Sequence, residues 1–239
     1  MNQSISNSHN LDDLKQQIVN VGRHLANLQF HAGLAGNISV RISRNLLLCT
    51  RHEADKGALT VRDLLLCQFD GNKVEGDGRP TSELPMHVAA YEHRPDVNAV
   101  IHAHPPTATA FAAASTPLDR LMLPEMVVLL GPVALVPYAA PGSADLCRQL
   151  AAYLPNHDGF LLENHGALTV GTTLGEAAMR MELLEHNARI TLLTRQLGRT
   201  YALSQEELDT LLELRRRIAA ERRRAMGQEE SDTLRDSDQ

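Results

Sequence analysis

The chain has 239 residues, 43% of them hydrophobic, which suits one large globular domain and excludes a disordered polymer. Lys and Arg number 23 against 29 Asp and Glu, and the formal charge of −6 gives no basis for nucleic-acid binding. Trp is absent, aromatic residues make up 3%, and Cys49, Cys67 and Cys147 form no CxxC pair, which implies an aliphatic core in a reduced, cytoplasmic chain.

Residues 1–10 are polar, without the apolar stretch of a signal peptide, and read as a flexible N-terminus ahead of a domain over 11–226. No apolar run is long enough to span a membrane. Leu11, Leu14, Ile18, Val21, Leu25 and Leu28 have the spacing of a helix. Gly33 and Gly36 break it. Ile38, Val40 and Ile42 then alternate with Ser39 and Arg41, predicting a strand with one polar face. The turn at Gly36-Asn37 either offers a backbone and a side-chain amide to an anion or is an ordinary turn. Leu46 to Cys49 predicts a second strand, Leu64 to Phe69 a third, and Lys73 to Glu75 a short return after the Asp70-Gly71-Asn72 turn. Between the second and third lies a polar loop, Thr50 to Gly57. A helix to about Glu92 follows, with Ser82 as its expected N-cap and Glu83 and Pro85 in its first turn.

Val97 to Pro106 reads as a short buried strand closed by two prolines. Residues two apart on a strand share a face, so His102 and His104 project side by side, as two metal ligands or as two hydrogen-bonded histidines. An Ala-rich helix over Thr107 to Ala114 comes next. Strands are expected over Met126 to Leu130 and Val133 to Val136, and a helix capped by Ser143 runs to Leu154. Phe160 to Leu162 and Ala167 to Val170 predict strands flanking His165, where Gly166 would permit a special backbone conformation. Long helices are expected over Leu174 to Leu197 and from Leu203 to about Met226, the second opened by Ser204 and acids. Its arginines, Arg215 to Arg217 and Arg222 to Arg224, suit a solvated or subunit-facing surface. Residues 227–239 read as a disordered acidic tail. Short polar turns between strands and helices at both ends predict a largely antiparallel sheet covered by helices.

Four motifs in order, Gly36-Asn37-Ile38-Ser39-Val40-Arg41, Thr81-Ser82-Glu83, His102-Ala103-His104 and Asn164-His165-Gly166, make the chain resemble the class II aldolase/adducin family, and within it the fuculose-phosphate aldolase-like members. The resemblance covers Leu11 to about Leu214. It implies an α/β fold with three α/β/α layers, commonly a homotetramer with sites between subunits. It implies zinc, or another divalent metal, held by Glu83, His102, His104 and His165, with Glu83 doubling as the catalytic acid/base. It implies that Gly36, Asn37, Thr50, Thr81 and Ser82 hold the phosphate of a phosphorylated small-molecule substrate. The implied reaction is cleavage of a ketose 1-phosphate to dihydroxyacetone phosphate and an aldehyde through an enediolate, zinc being the Lewis acid. A decarboxylase or dehydratase on the same scaffold is the alternative. A binding module of the adducin kind is opposed by the complete ligand set. Two departures stand out: Arg51 replaces the small residue usual after Thr50, and neither Leu123-Pro124-Glu125 nor the tail supplies the tyrosine expected as proton donor. Either Glu125 takes that role or the substrate differs.

Overall fold

The computed structural model describes residues 2–118 and 122–236. Helix α1 (Asn2–Asn27) leads into β1 (Asn37–Arg41), β2 (Leu46–Thr50), β3 (Leu64–Gln68) and β4 (Lys73–Glu75). Then come α2 (Leu84–His93), β5 (Ala99–Ala103), α3 (Pro106–Ala113), β6 (Val133–Val136), α4 (Ala144–Ala151), β7 (Gly159–Leu162) and β8 (Gly166–Gly171). Helices α5 (Leu174–Gln196) and α6 (Gln205–Asp236) finish the chain. The eight strands form one sheet in the order β4-β3-β2-β1-β5-β8-β7-β6. Every neighbouring pair is antiparallel except β6 with β7.

Helices cover both faces, giving the three-layer α/β/α arrangement. On one face Ile38, Val40, Leu48 and Ile101 pack with Ile18 and Leu25 of α1, Phe111 of α3 and Met181 and Leu184 of α5. On the other Leu47, Cys49, Val100 and Leu168 pack with Met86 and Tyr91 of α2 and Leu146 and Leu150 of α4. The alternation in β1 therefore separates two buried sides of different chemistry: Asn37 and Ser39 are buried as completely as Ile38 and Val40. Polar residues on that side face α2 rather than water. Among the described residues no helix is long and apolar enough to cross a membrane.

Several expectations change. Met126 to Leu130 is a π-helical turn and not a strand. A five-residue apolar run carries no period to tell the two apart, and here Gly131 N closes the turn on Met126 O at 2.7 Å. Glu83, and not Ser82, is the N-cap of α2, and no side chain caps that helix. Arg215 does not face solvent. Its guanidinium reaches inward to Asp158 Oδ2 at 2.5 Å and Val128 O at 3.0 Å, while Arg216, Arg217 and Arg224 are exposed. The backbone is helical from Asn2 and as far as Asp236, so helix extends into both segments expected to lie outside the domain; residues 237–239 lie outside the described residues. A polar composition removes the burial that would anchor a helix but does not forbid helical backbone.

Candidate metal centre and active site

Four segments far apart in sequence converge at one end of the central strands. Asn37 opens β1 and pairs with His102 across the antiparallel ladder. His102 lies on β5, and His104 follows just past its end. His165 sits on the tight turn from β7 to β8, and Glu83 caps α2. The turn takes its shape from Asn164, whose φ is 53°, a left-handed conformation that Asn tolerates better than most residues. Gly166 serves a different purpose from the one expected: a Cβ there would lie 2.5 Å from His104 Cδ2, so the missing side chain is what lets the two histidine segments meet. Gly36 combines both demands, with φ +78° and its Cβ position 2.7 Å from His102 O.

The ring nitrogens point at one another. His102 Nδ1 lies 2.9 Å from the Ala167 carbonyl, which can only accept, so the proton is on Nδ1 and the Nε2 lone pair faces inward. His104 Nε2 is 3.0 Å from that lone pair. The carboxylate of Glu83 places Oε2 3.4 Å from His102 Nε2 and Oε1 3.1 Å from His165 Nε2. Donor atoms of His102, His104 and His165 all lie within 4.8 Å of one another. Burial pushes the His102 imidazole down to about 3 and also lowers that of His104, keeping both neutral near pH 7 as ligands must be. Burial would raise Glu83, but the hydrogen bond from His165, the nearby imidazoles and the Asn37 amide together hold it below the usual carboxylate range. Converging lone pairs and an ionised carboxylate in a buried pocket fit a divalent cation.

The other expected residues gather around this centre with differing freedom. The Asn37 amide donates to Thr81 Oγ1 at 3.1 Å and to Glu83 Oε2 at 2.8 Å, so it has a structural duty that its place before a strand does not reveal. Thr81 Oγ1 also accepts from Glu83 N at 3.3 Å. Thr50 is fully buried, its hydroxyl oxygen accepting from Ile38 N at 3.2 Å. Ser82 is exposed and Gly36 half-buried. Arg51 commits Nε to Asp63 at 2.8 Å. Glu125 is exposed at the start of the π-helical turn.

The structure adds three groups that motif reading passes over. His87 is fully buried against Asn37 and Ser39. Its signal was its place four residues after Glu83, on the same side of α2. Lys56, 1% exposed, donates to Leu34 O and Ala54 O at 2.7 Å each, and burial lowers its ammonium to about 8. His31 stands against Gly36, and burial pushes its imidazole down to about 4. Neither Lys56 nor His31 lies in a pattern that would have marked it.

Residues 16–192 match the family described as the class II aldolase and adducin N-terminal domain. The chain belongs to this family. An L-fuculose phosphate aldolase from Methanococcus maripaludis is 32% identical over 170 residues, 71% of this chain and 91% of that protein. A 3-oxo-tetronate 4-phosphate decarboxylase from Haemophilus influenzae is 32% identical over 184 residues, 74% of this chain and 85% of that protein. A solved L-fuculose 1-phosphate aldolase superposes with a TM-score of 0.76 at 30% identity, covering 84% of this chain and 95% of that one. As a class II aldolase/adducin domain the chain thus has a metal-capable histidine cluster and enzymes of two reaction types among its relatives.

Proposed function

We propose that the chain is a cytoplasmic, zinc-dependent class II aldolase that cleaves a ketose 1-phosphate to dihydroxyacetone phosphate and an aldehyde through an enediolate. The observation that carries this reading is the position of Glu83, an ionised carboxylate 3.1 Å from His165 and 3.4 Å from His102, tethered by Asn37. His102, His104, His165 and Glu83 would hold a divalent cation, which supplies Lewis acidity for negative charge developing on a substrate oxygen. Beside a substrate bound at this centre, the Glu83 carboxylate would accept the hydroxyl proton as the carbon–carbon bond breaks and return it to the enediolate carbon, so that a neutral aldehyde and dihydroxyacetone phosphate leave. Asn37 keeps that carboxylate within reach. Exposed Ser82 and the backbone at Gly36 and at the start of α2 provide neutral donors suited to a phosphate dianion. Thr50, Thr81 and the Asn37 amide support those segments from behind.

The decarboxylase among the relatives favours a second reading. Loss of carbon dioxide beside a carbonyl leaves the same kind of carbanion but takes no proton from a substrate hydroxyl, so it has no use for a tyrosine that would exchange that proton, which agrees with the missing tyrosine. The test is to incubate zinc-loaded protein with ketose 1-phosphates, coupling the product to a dihydroxyacetone-phosphate reductase, and in parallel with 3-oxo-tetronate 4-phosphates while measuring carbon dioxide. Cleavage in the first arm with Glu83→Gln at least about 100-fold slower supports the aldolase. Carbon dioxide without ketose cleavage replaces it with the decarboxylase. Full activity of Glu83→Gln refutes the role of that carboxylate in either.

A further inference from the structure

We propose that His87 is a positioning residue, which through a directed chain of hydrogen bonds fixes the Asn37 amide with an N–H, and not an oxygen, toward Glu83. The inference rests on Glu83 acting as ligand and base in the reading above. Two ladders of side chains build the chain. Glu83, His87 and Tyr91 recur every fourth residue along one side of α2, and Asn37 and Ser39 share one face of β1. The two sets interdigitate in the layer between sheet and helix.

Each bond leaves the next group a single choice. Ionised Glu83 only accepts, so Asn37 turns Nδ2 toward it at 2.8 Å. Asn37 Oδ1 then faces His87 Nε2 at 2.5 Å, and an amide oxygen requires a donor, so His87 carries its proton on Nε2. Burial pushes this imidazole down to about 4, leaving one proton on the ring near pH 7, and Nδ1 must accept. Ser39 Oγ supplies that hydrogen from 2.7 Å and accepts one from the Tyr91 hydroxyl, also at 2.7 Å. Ser39 has one hydrogen, which goes to His87, so toward Tyr91 it can only accept. Asn37, Ser39, His87 and Tyr91 are all no more than 3% exposed, so water cannot substitute for a lost partner. Without a donor at His87, Asn37 Oδ1 is left buried and unsatisfied, and the amide turns away from the carboxylate to find one. Glu83 then loses the tether that holds it between the imidazoles.

Two measurements on the zinc-loaded, full-length protein test this. Nitrogen NMR of 15N-histidine-labelled wild type reads the tautomer, His87 being the signal absent from His87→Gln. The expected result is hydrogen on Nε2 and none on Nδ1 at pH 7. Hydrogen on Nδ1, or on both nitrogens, overturns the proposal and requires no variant to fold. The second measurement is zinc affinity by competition with a chromophoric chelator. His87→Leu should bind about 10-fold more weakly, the lower end of the effect of residues that orient metal ligands. His87→Gln, whose amide reaches the Nε2 position and can donate to Asn37, should recover most of the loss. Equal losses in both variants, as for a group that merely fills space, or no loss in His87→Leu, overturn it. Neither measurement uses substrate, so a failed phosphoketose assay would remove the reaction and leave this inference standing.

Discussion

At Gly166 a single hydrogen atom decides how closely two histidine segments can approach. A methyl group there would stand 2.5 Å from His104 Cδ2 and 2.8 Å from Ala103 O. The carbonyl belongs to a strand and cannot give way. Gly166→Ala should therefore cost roughly 1–3 kcal/mol of stability, as overpacking does, and weaken zinc binding by pushing His104 aside, read by thermal melting and chelator competition. Gly175→Ala is the control, because nothing lies within 4 Å of its Cβ position. If both variants behave alike, the close fit is not what Gly166 provides. His87 carries a prediction about acid. Its value is about 4 in the fold against an ordinary 6.5, so below pH 6.5 the unfolded chain takes a proton that the native chain refuses. More protons on the unfolded state mean that stability rises with pH across this window and falls as pH drops from 6.5 toward 4, by on the order of 3 kcal/mol from this group. His87→Gln should flatten that slope in denaturant melts taken from pH 4 to 7, and an unchanged slope would show that His87 is not the group responsible. His102 and His104 were legible because strand alternation holds whatever covers the strand. For His87 the spacing from Glu83 marked its side of α2 but not its role, since a histidine on an apolar helix face looks the same in sequence whether it touches water or a buried amide.

Elements were legible where period or capping marked them. Ser143 caps α4 through Leu146 N, and Ser204 and Glu207 bond reciprocally ahead of α6, as their sequences predict. The π-helical turn had no such mark, and what fixes it is remote: Arg215 of α6 bonds to its Val128 carbonyl. That arginine belongs to a larger knot. Asp158 pairs with Arg94 at 3.1 Å, Arg180 at 2.9 Å and Arg215 at 2.5 Å, joining α2, α5 and α6 just before β7. Only 8% of Asp158 is exposed. Asp158→Asn would leave three guanidinium groups around a neutral side chain and should cost roughly 3–5 kcal/mol in urea unfolding. Arg215→Met removes one spoke only, and should speed hydrogen exchange in α6 with a much smaller global loss. Equal costs for the two variants would contradict a knot centred on Asp158.

For the molecule as a whole, the largely antiparallel, helix-covered sheet followed from the order of strands, polar turns and terminal helices, and the three-layer plan from the family resemblance. The position of each functional group did not, because sequence order does not say which strand ends meet. Assembly is the remaining expectation. Beyond the core, Leu192, Leu193, Leu197 and Tyr201 expose 41%, 47%, 80% and 96% of their surface along the end of α5 and the segment after it. Apolar side chains this bare suit contact with further copies of the chain. We expect a homotetramer by light scattering coupled to gel filtration, and a clean 26.3 kDa monomer at micromolar concentration would refute it. The pairing of β5 with β8, which sets His102 opposite Leu168, has a consequence for the history of each molecule. A chain still being synthesised carries Glu83, His102 and His104 through sixty further residues before His165 is made. Until β8 has docked, a cation meets three loosely held ligands and no enclosure. A metal bound here would therefore act as a lock on a finished sheet and not as its seed, and its stabilisation would fall on the rate at which the sheet comes apart rather than the rate at which it forms.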